Sequence, residues 1–480
     1  MTRCLPQEIL AEVFTIVLYA RSHIDQDTLR PIPMEAAILH LFRDFYSLQS
    51  VCRAWRNAIF SRGTFWYFAP IYCTEVPALE CVQSPKLSLE RSNGDLYLAA
   101  VIGQNEPGLL YITPASPRFR KVNLIAGSRM ASRVLIERLL DSGPPFILSE
   151  LSLYERVSSD VSSEEDIPHV LSHTSSQWDL FCKLIKSLSV FRVRNVHFDW
   201  KYMLFSSHLL ELRLQDVMMG SDREDFVEFL RVLALAPQLR DLKIISVQSI
   251  FDHLSLTIIS PSSRIHFPGL KSLYLEDLAH HTLVTVTDYI APGSHRLTLY
   301  LTEQSAILDS ALPADDETRL NSLRIQLEEV WVDTLVLSQD SDDWLSSSEL
   351  NDILHWVPEL KSLKLNGRTM DEDEFQAIIG THVMGSESVD NAFPQLEYLD
   401  LSRVWIEDEE WLKEVILSHP IQIMALGGYI LNTALESPDY EPLQINTPIV
   451  NWLRANVPDF TLTHERAQPL EYSSSVWQLW

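Results

Sequence analysis

LRLQDV at residues 212–217, LKIISV at 242–247 and LYLEDL at 273–278 repeat one pattern, with apolar residues at steps 0, 2 and 5. FRVRNV (191–196) and LDLSRV (399–404) are further copies. LSLYE (151–155), LTLYL (297–301), LRIQL (323–327) and LKLNG (363–367) are looser ones. Apolar and polar residues alternating at period two predict a strand with one buried face. Many copies have another leucine three residues upstream. A proline often precedes the copy, as at Pro237, Pro268, Pro358, Pro394 and Pro458.

Between these strands lie amphipathic helices: DREDFVEFLRVLALA (222–236), SSSELNDILHWV (346–357), DEDEFQAIIG (371–380) and DEEWLKEVILS (408–418). Ser221 with Glu224, and Ser346 with Glu349, have the spacing of a capping box. Strand, turn, helix and return at a period of about thirty residues resemble the irregular leucine-rich repeat. One such unit cannot bury its apolar face alone, so neighbours must stack. The expected fold class is α/β, with an N-terminal helical module followed by an irregular leucine-rich-repeat solenoid. The expected domains are a helical module at 1–68, a linker and atypical first repeat at 69–118, a repeat array at 119–465 and a tail at 466–480. The tail, QPLEYSSSVWQLW (468–480), carries the apolar anchors Val476, Leu479 and Trp480 and is expected to pack on the last repeat. An ordinary open α/β sheet is the alternative.

The N-terminal module carries a second signature. LPQEILAEVF (5–14) is followed by VCRAWRNAIF (51–60) and then Phe65-Trp66. Leu5, Ile9, Leu10, Val13, Phe14 and Val17 recur at three- and four-residue steps, as do Leu48, Val51, Cys52, Trp55 and Ile59, so each set predicts one helix face. Pro6 suits a first helical turn, and Glu8 suits the positive end of the helix dipole. These residues resemble the F-box, of the fungal F-box-protein type. The resemblance implies docking on a Skp-type adaptor that bridges to a cullin–RING ubiquitin ligase, with the rest of the chain choosing the substrate. By motif match the adaptor-binding residues are Leu5, Pro6, Ile9, Leu10, Val13, Phe14, Leu48, Val51, Trp55 and Trp66. Residues 23–40 read as a loop inserted between the halves, with Pro31 and Pro33 in it.

Composition narrows the function. The chain of 480 residues has a formal net charge of −27. Residues 1–68 hold seven Arg against six Asp and Glu, which leaves −28 on the remainder. Such a charge repels a nucleic-acid backbone, so no nucleic-acid partner is expected. No apolar run approaches the roughly eighteen residues of a membrane helix, and the N-terminus lacks a signal-peptide core, so no membrane partner is expected. Five scattered cysteines without a C-x-x-C predict a reduced protein of the cytoplasm or nucleus, with no zinc site. No nucleophile elbow, P-loop, dinucleotide fingerprint or H-E-x-x-H occurs, so neither enzymatic activity nor a cofactor is expected. The alternative to a ligase subunit is a non-catalytic repeat scaffold that binds protein without recruiting a ligase.

The substrate face follows from strand geometry. In the longer form L-x-x-L-x-L, the residue between the second and third leucines points away from the core. Those residues are Ser152, Arg192, Arg213, Lys243, Tyr274, Thr298, Arg324, Lys364 and Asp400. A basic stripe of Arg192, Arg213, Lys243, Arg324 and Lys364, with Tyr274, is expected to read an acidic or phosphorylated segment, because a guanidinium fork matches carboxylate and phosphate. The serine-rich acidic stretch at 155–176 is expected to be a solvated loop.

Overall fold

The computed structural model describes residues 6–19, 31–73, 84–92, 94–103, 112–141, 143, 147–156, 169–220, 223–249, 264–293, 295–306, 316–339, 344–380, 393–432, 439–468 and 470–480. Leu5, Ser221, residues 20–30, the centre of the acidic loop at 157–168 and the acidic loop at 340–343 lie outside them. The chain divides into two units. The first comprises Met1–Asp25, Pro31–Leu239 and Val476–Trp480; the second comprises Gln26–Arg30 and Arg240–Ser475.

The first unit opens with three helices, α1 (Gln7–Tyr19), α2 (Met34–Val51) and α3 (Arg53–Ser61). Six strands follow: β1 (Phe68–Cys73), β2 (Leu96–Ile102), β3 (Phe119–Ala126), β4 (Glu150–Glu155), β5 (Val190–Arg194) and β6 (Glu211–Gln215). Each pairs in parallel with the next. Leu151, Phe191 and Leu212 stand in one register row and Leu153, Val193 and Leu214 in another, and all six are fully buried. Consecutive parallel strands with apolar rows in phase are what stacked repeats require. Each buried Leu, Val or Phe contributes about 1.5–3 kcal/mol.

The stretch 69–118, expected as a linker and atypical first repeat, holds β1 and β2 side by side among its described residues. Other expectations for this region are corrected. Only part of the supposed insertion can be a loop, because α2 begins at Met34. The second motif is not one helix. Cys52 is extended, with φ −162° and ψ 169°, and separates α2 from α3. Cys52 is therefore exposed, rather than buried on a helix face. Nor is the helical part free-standing. Met34, Ala37 and Ile38 of α2 share one apolar cluster with Phe68, Ala99, Val101 and Ile125 of β1–β3.

The second unit continues with β7 (Asp241–Ile245), β8 (Ser272–Glu276), β9 (Arg296–Leu301), β10 (Thr334–Ser338), β11 (Ser362–Asn366), β12 (Thr369–Met370), β13 (Tyr398–Ile406), β14 (Ile423–Asn432), β15 (Asp439–Pro442) and β16 (Asp459–Leu462). β7 to β11, then β13 and β14, pair in parallel in chain order. β15 adds antiparallel and β16 parallel to β14. Gly428, at φ +147°, sits where β13 and β14 slip register; a Cβ there would meet the Val404 carbonyl oxygen at 2.1 Å, so only glycine fits.

The strands share a terminator. Asn195, Asp216, Ser246 and Asp277 directly follow their strands and have φ from 46° to 52°, with Gly367 at 72° in the same place; Arg403, at 53°, holds the equivalent position but lies within β13. Asn, Asp and Gly tolerate the left-handed region, and this turn carries the chain off the sheet towards its helix. One of the two expected capping boxes lies wholly within the described residues. Ser346 and Glu349 form a reciprocal capping box, and Asp371 accepts from the Glu374 amide. The acidic clusters at 371–374 and 408–410 are therefore accounted for by helix starts, with Asp371 and Asp408 as N-caps. One expected strand is a helix: LRIQL lies inside a helix spanning Asp316–Glu328, with Leu323 and Leu327 buried and Ile325 exposed. The strand at that point in the array is β10, whose TLVLS was not recognised.

Glu155, at the end of β4, makes stability depend on pH. Its side chain is buried beside Arg129. Burial pushes its carboxyl up to about 7, against the opposing pull of the Arg129 charge. The raised folded value means that the folded state holds the proton more tightly. The associated stability is fully present below the unfolded value of 4.5 and is lost as pH rises through about 7. Unfolding free energies of wild type and Glu155→Gln should therefore diverge by about 3 kcal/mol over that window, wild type becoming the weaker at high pH. Parallel denaturant curves across the window would contradict this.

Candidate functional site

In the first unit, the sheet face that carries Arg192 and Arg213 is occupied. Ser152, Arg192 and Arg213 are neighbours in one register row, as the repeat predicts. Residues 477–480 lie along this face. The Trp477 indole N–H donates to Asn123 Oδ1 at 2.8 Å, and Asn123 Nδ2 donates to the Gln478 carbonyl at 2.9 Å. The Met34 amide donates to the Trp477 carbonyl at 2.9 Å, and the Tyr97 hydroxyl to the Trp480 carbonyl at 2.9 Å. The Trp477 ring packs on Tyr154 at 5.7 Å. The guanidinium carbons of Arg192 and Arg213 lie 4.5 and 5.3 Å from the Trp480 ring centroid. Trp477 and Leu479 are buried, as is Asn123. Burial raises the Tyr97 hydroxyl pKa, which keeps it protonated as a donor.

In the second unit, the corresponding face is met by residues 471–474. Lys364 Nζ donates to Glu471 Oε1 at 2.7 Å, and the Tyr274 hydroxyl donates to the Glu471 carbonyl at 3.4 Å. Tyr472 packs edge-on against Tyr300 and donates to the Leu337 carbonyl at 3.1 Å. Ser474 bonds to Glu276. The expectation that the tail packs on the last repeat is thus corrected. Its aromatic residues need partners that are half apolar and half polar, and the strand faces supply them.

The basic stripe is also corrected. Arg192 forms a two-pronged ion pair with Glu211, at 2.6 and 2.7 Å. Arg213 donates to Gln215 at 2.7 Å. Lys243 lies over Tyr274 at 5.7 Å, and Lys364 over Tyr398 at 5.1 Å. Arg324 is not on a strand at all; it is exposed on its helix and pairs with Glu328 at 2.7 Å, one turn on. Lys364 stands in a row with Tyr300, Val336 and Asp400, while Tyr274 aligns with Thr298 and Thr334. These cations are matched by carboxylates and rings of the chain itself, so the face is no open anion site. Asn123, Tyr97 and Tyr154 were missed. The signal was present: Asn123 sits between Val122 and Leu124, and Tyr97 between Leu96 and Leu98, in the same outward position.

The motif residues of the helical module divide into two groups. Leu10, Phe14, Leu48 and Trp66 are buried in one cluster with Ala11, Leu18, Ala58, Ile59 and Phe65. Their expected role as partner contacts is corrected: they hold α1, α2 and α3 together. Trp55 is half-buried, 4.8 Å from the Phe14 ring. Trp66 donates its indole N–H to the Ile59 carbonyl. Pro6 is exposed, and Ile9 (48%), Val13 (41%), Ile16 (60%), Val17 (38%) and Val51 (58%) expose apolar surface. Ile9, Val13, Ile16 and Val17 fall at i, i+4, i+7 and i+8, one side of α1.

Among the described residues, no group of three or more His, Cys, Asp or Glu could hold a metal ion, and no helix is long and apolar enough to cross a membrane. The sequence matches no protein-family model and no curated protein. It is similar in structure to the leucine-rich-repeat-containing protein LegL7 from Legionella pneumophila, at 11% identity and a TM-score of 0.35, over 81% of this chain and 97% of that one. The in-phase apolar rows of consecutive parallel strands are this chain's own, and they are what a stack of short strand–helix repeats requires.

Proposed function

We propose that this chain is a substrate-binding subunit of a Skp–cullin–F-box ubiquitin ligase. The observation that carries the reading is the apolar side of α1. Ile9, Val13, Ile16 and Val17 lie exposed on a helix whose opposite side, Leu10, Phe14 and Leu18, is already buried. A helix with two apolar sides in a surface module is one that packs on something further. The L-P-x-E-I-L and V-C-R-x-W-R motifs, which resemble the F-box, support a Skp-type adaptor as that partner. In this reading the catalysis comes from the ligase in trans, and the chain's contribution is to hold a substrate lysine close to a charged ubiquitin-conjugating enzyme. Co-expression with a Skp-type adaptor should give an equimolar complex in gel filtration. Two separately eluting proteins would move the function to a repeat scaffold without ligase recruitment.

A further inference from the structure

Residues 477–480 are held as a bound peptide is held. Three donors read the backbone: the Met34 amide, Asn123 Nδ2 and the Tyr97 hydroxyl. Pro33 and Gln478 form an antiparallel bridge, so the segment runs beside the start of α2 like an added strand. Leu479, at the third position, is buried with Trp477 in the apolar cluster of α2 and β1–β3, and the first and fourth positions are read differently. At the first, Asn123 Oδ1 accepts the Trp477 indole proton. At the fourth, Arg192 and Arg213 lie near the Trp480 ring, while among the described residues its own indole N–H finds no hydrogen-bond partner. Asn123 and both arginines are buried. Asn123 uses both ends of its amide on this one segment. A plain apolar strap needs no such residue, since packing alone would hold it.

We propose that this face is a recognition site for an extended segment of a partner protein, with tryptophan at its first position and an aromatic ring at its fourth. The chain's own residues 477–480 fill the site as a tethered competitor. Tryptophan is required at the first position because a phenyl ring leaves the buried Asn123 oxygen without its donor. Any aromatic ring serves at the fourth, because a guanidinium near a ring uses no indole proton. The tethered copy acts at an effective concentration on the order of millimolar, so a partner must exceed that advantage to enter. The inference stands apart from the ligase reading, since the site needs nothing docked on α1.

The test is hydrogen exchange on the full wild-type chain, with and without a synthetic peptide of residues 474–480. Residues 476–480 should exchange by local opening, at least about a hundredfold faster than the strand amides of β3 to β5. Excess peptide should speed exchange of the chain's own segment. A peptide with Phe for Trp477 should compete roughly tenfold less well, and one with Phe for Trp480 equally well to within about twofold. Asn123→Ala in the chain should erase the first difference. Should that variant fail to fold, Asn123→Asp keeps an acceptor for the indole and should retain the preference for tryptophan. Exchange of the segment in step with the strands, no displacement by peptide, or equal losses for both Phe peptides would each overturn the proposal. A dimer that forms with rising protein concentration as the segment swaps would give the face to a second copy of this chain and overturn the partner reading.

Discussion

Glu374→Ala should lower the unfolding free energy by about 3–5 kcal/mol, among the largest single losses available in the chain. Arg368 and Glu374 pair inside the second unit with 3% of each side chain exposed. Arg368 also donates to the Leu345 carbonyl at 2.8 Å, and the Glu374 amide donates to Asp371 at 2.8 Å. The pair therefore ties the end of β11 to the first turn of the helix spanning Glu372–Ile379. Removing the carboxylate leaves a guanidinium buried without its counter-charge, and water cannot reach it without opening the repeat. Arg368→Met combined with Glu374→Leu removes both charges and should recover most of the loss. Denaturant unfolding of the two variants decides it. Equal destabilisation by both would mean that shape rather than charge holds this corner.

Phe14→Ala should cost about 3–5 kcal/mol in the helical module, while Ile9→Ala should stay within about 0.5 kcal/mol. Phe14 has no exposed surface and touches Trp55 and Phe65, with ring centroids at 4.8 and 6.2 Å. Its loss opens a cavity that three helices cannot close together. Ile9, five residues earlier in the same motif, is 48% exposed and leaves no cavity. Thermal melts of the two variants test the division of one motif into a core side and an outward side. Similar destabilisation by both would remove the outward side and, with it, the proposed docking helix.

The strands were legible where a copy keeps apolar residues at steps 0, 2 and 5, because that spacing marks the buried row directly. LRIQL failed for a physical reason. Leu323, Ile325 and Leu327 alternate like a strand, yet Leu323 and Leu327 also suit one helix side, and the polar residues before them favour a helical start. TLVLS at 334–338 was passed over although its Leu335 and Leu337 continue the buried row. The left-handed turn was not read from the sequence, although Asn195, Asp216, Asp277 and Gly367 favour positive φ; Ser246 and Arg403 are held there by the repeat rather than by preference. In α1 the three- and four-residue steps locate a helix but not which partner each side meets, so inward Leu10 and Phe14 merged with outward Ile9 and Val13. The occupied strand face was beyond the sequence. Asn123 and Trp477 are 354 residues apart, and nothing local links them.

The most direct test of the proposed function is a titration of the purified chain with a Skp-type adaptor, for wild type and Ile9→Asp/Val13→Asp. Both residues are exposed, so the double variant should melt as wild type does. Placing two carboxylates in a dehydrated apolar contact should weaken binding by at least about a hundredfold. Tight binding by wild type and its loss in the variant is the predicted result. Binding of equal strength by both, or no binding by a folded wild type, would contradict the account.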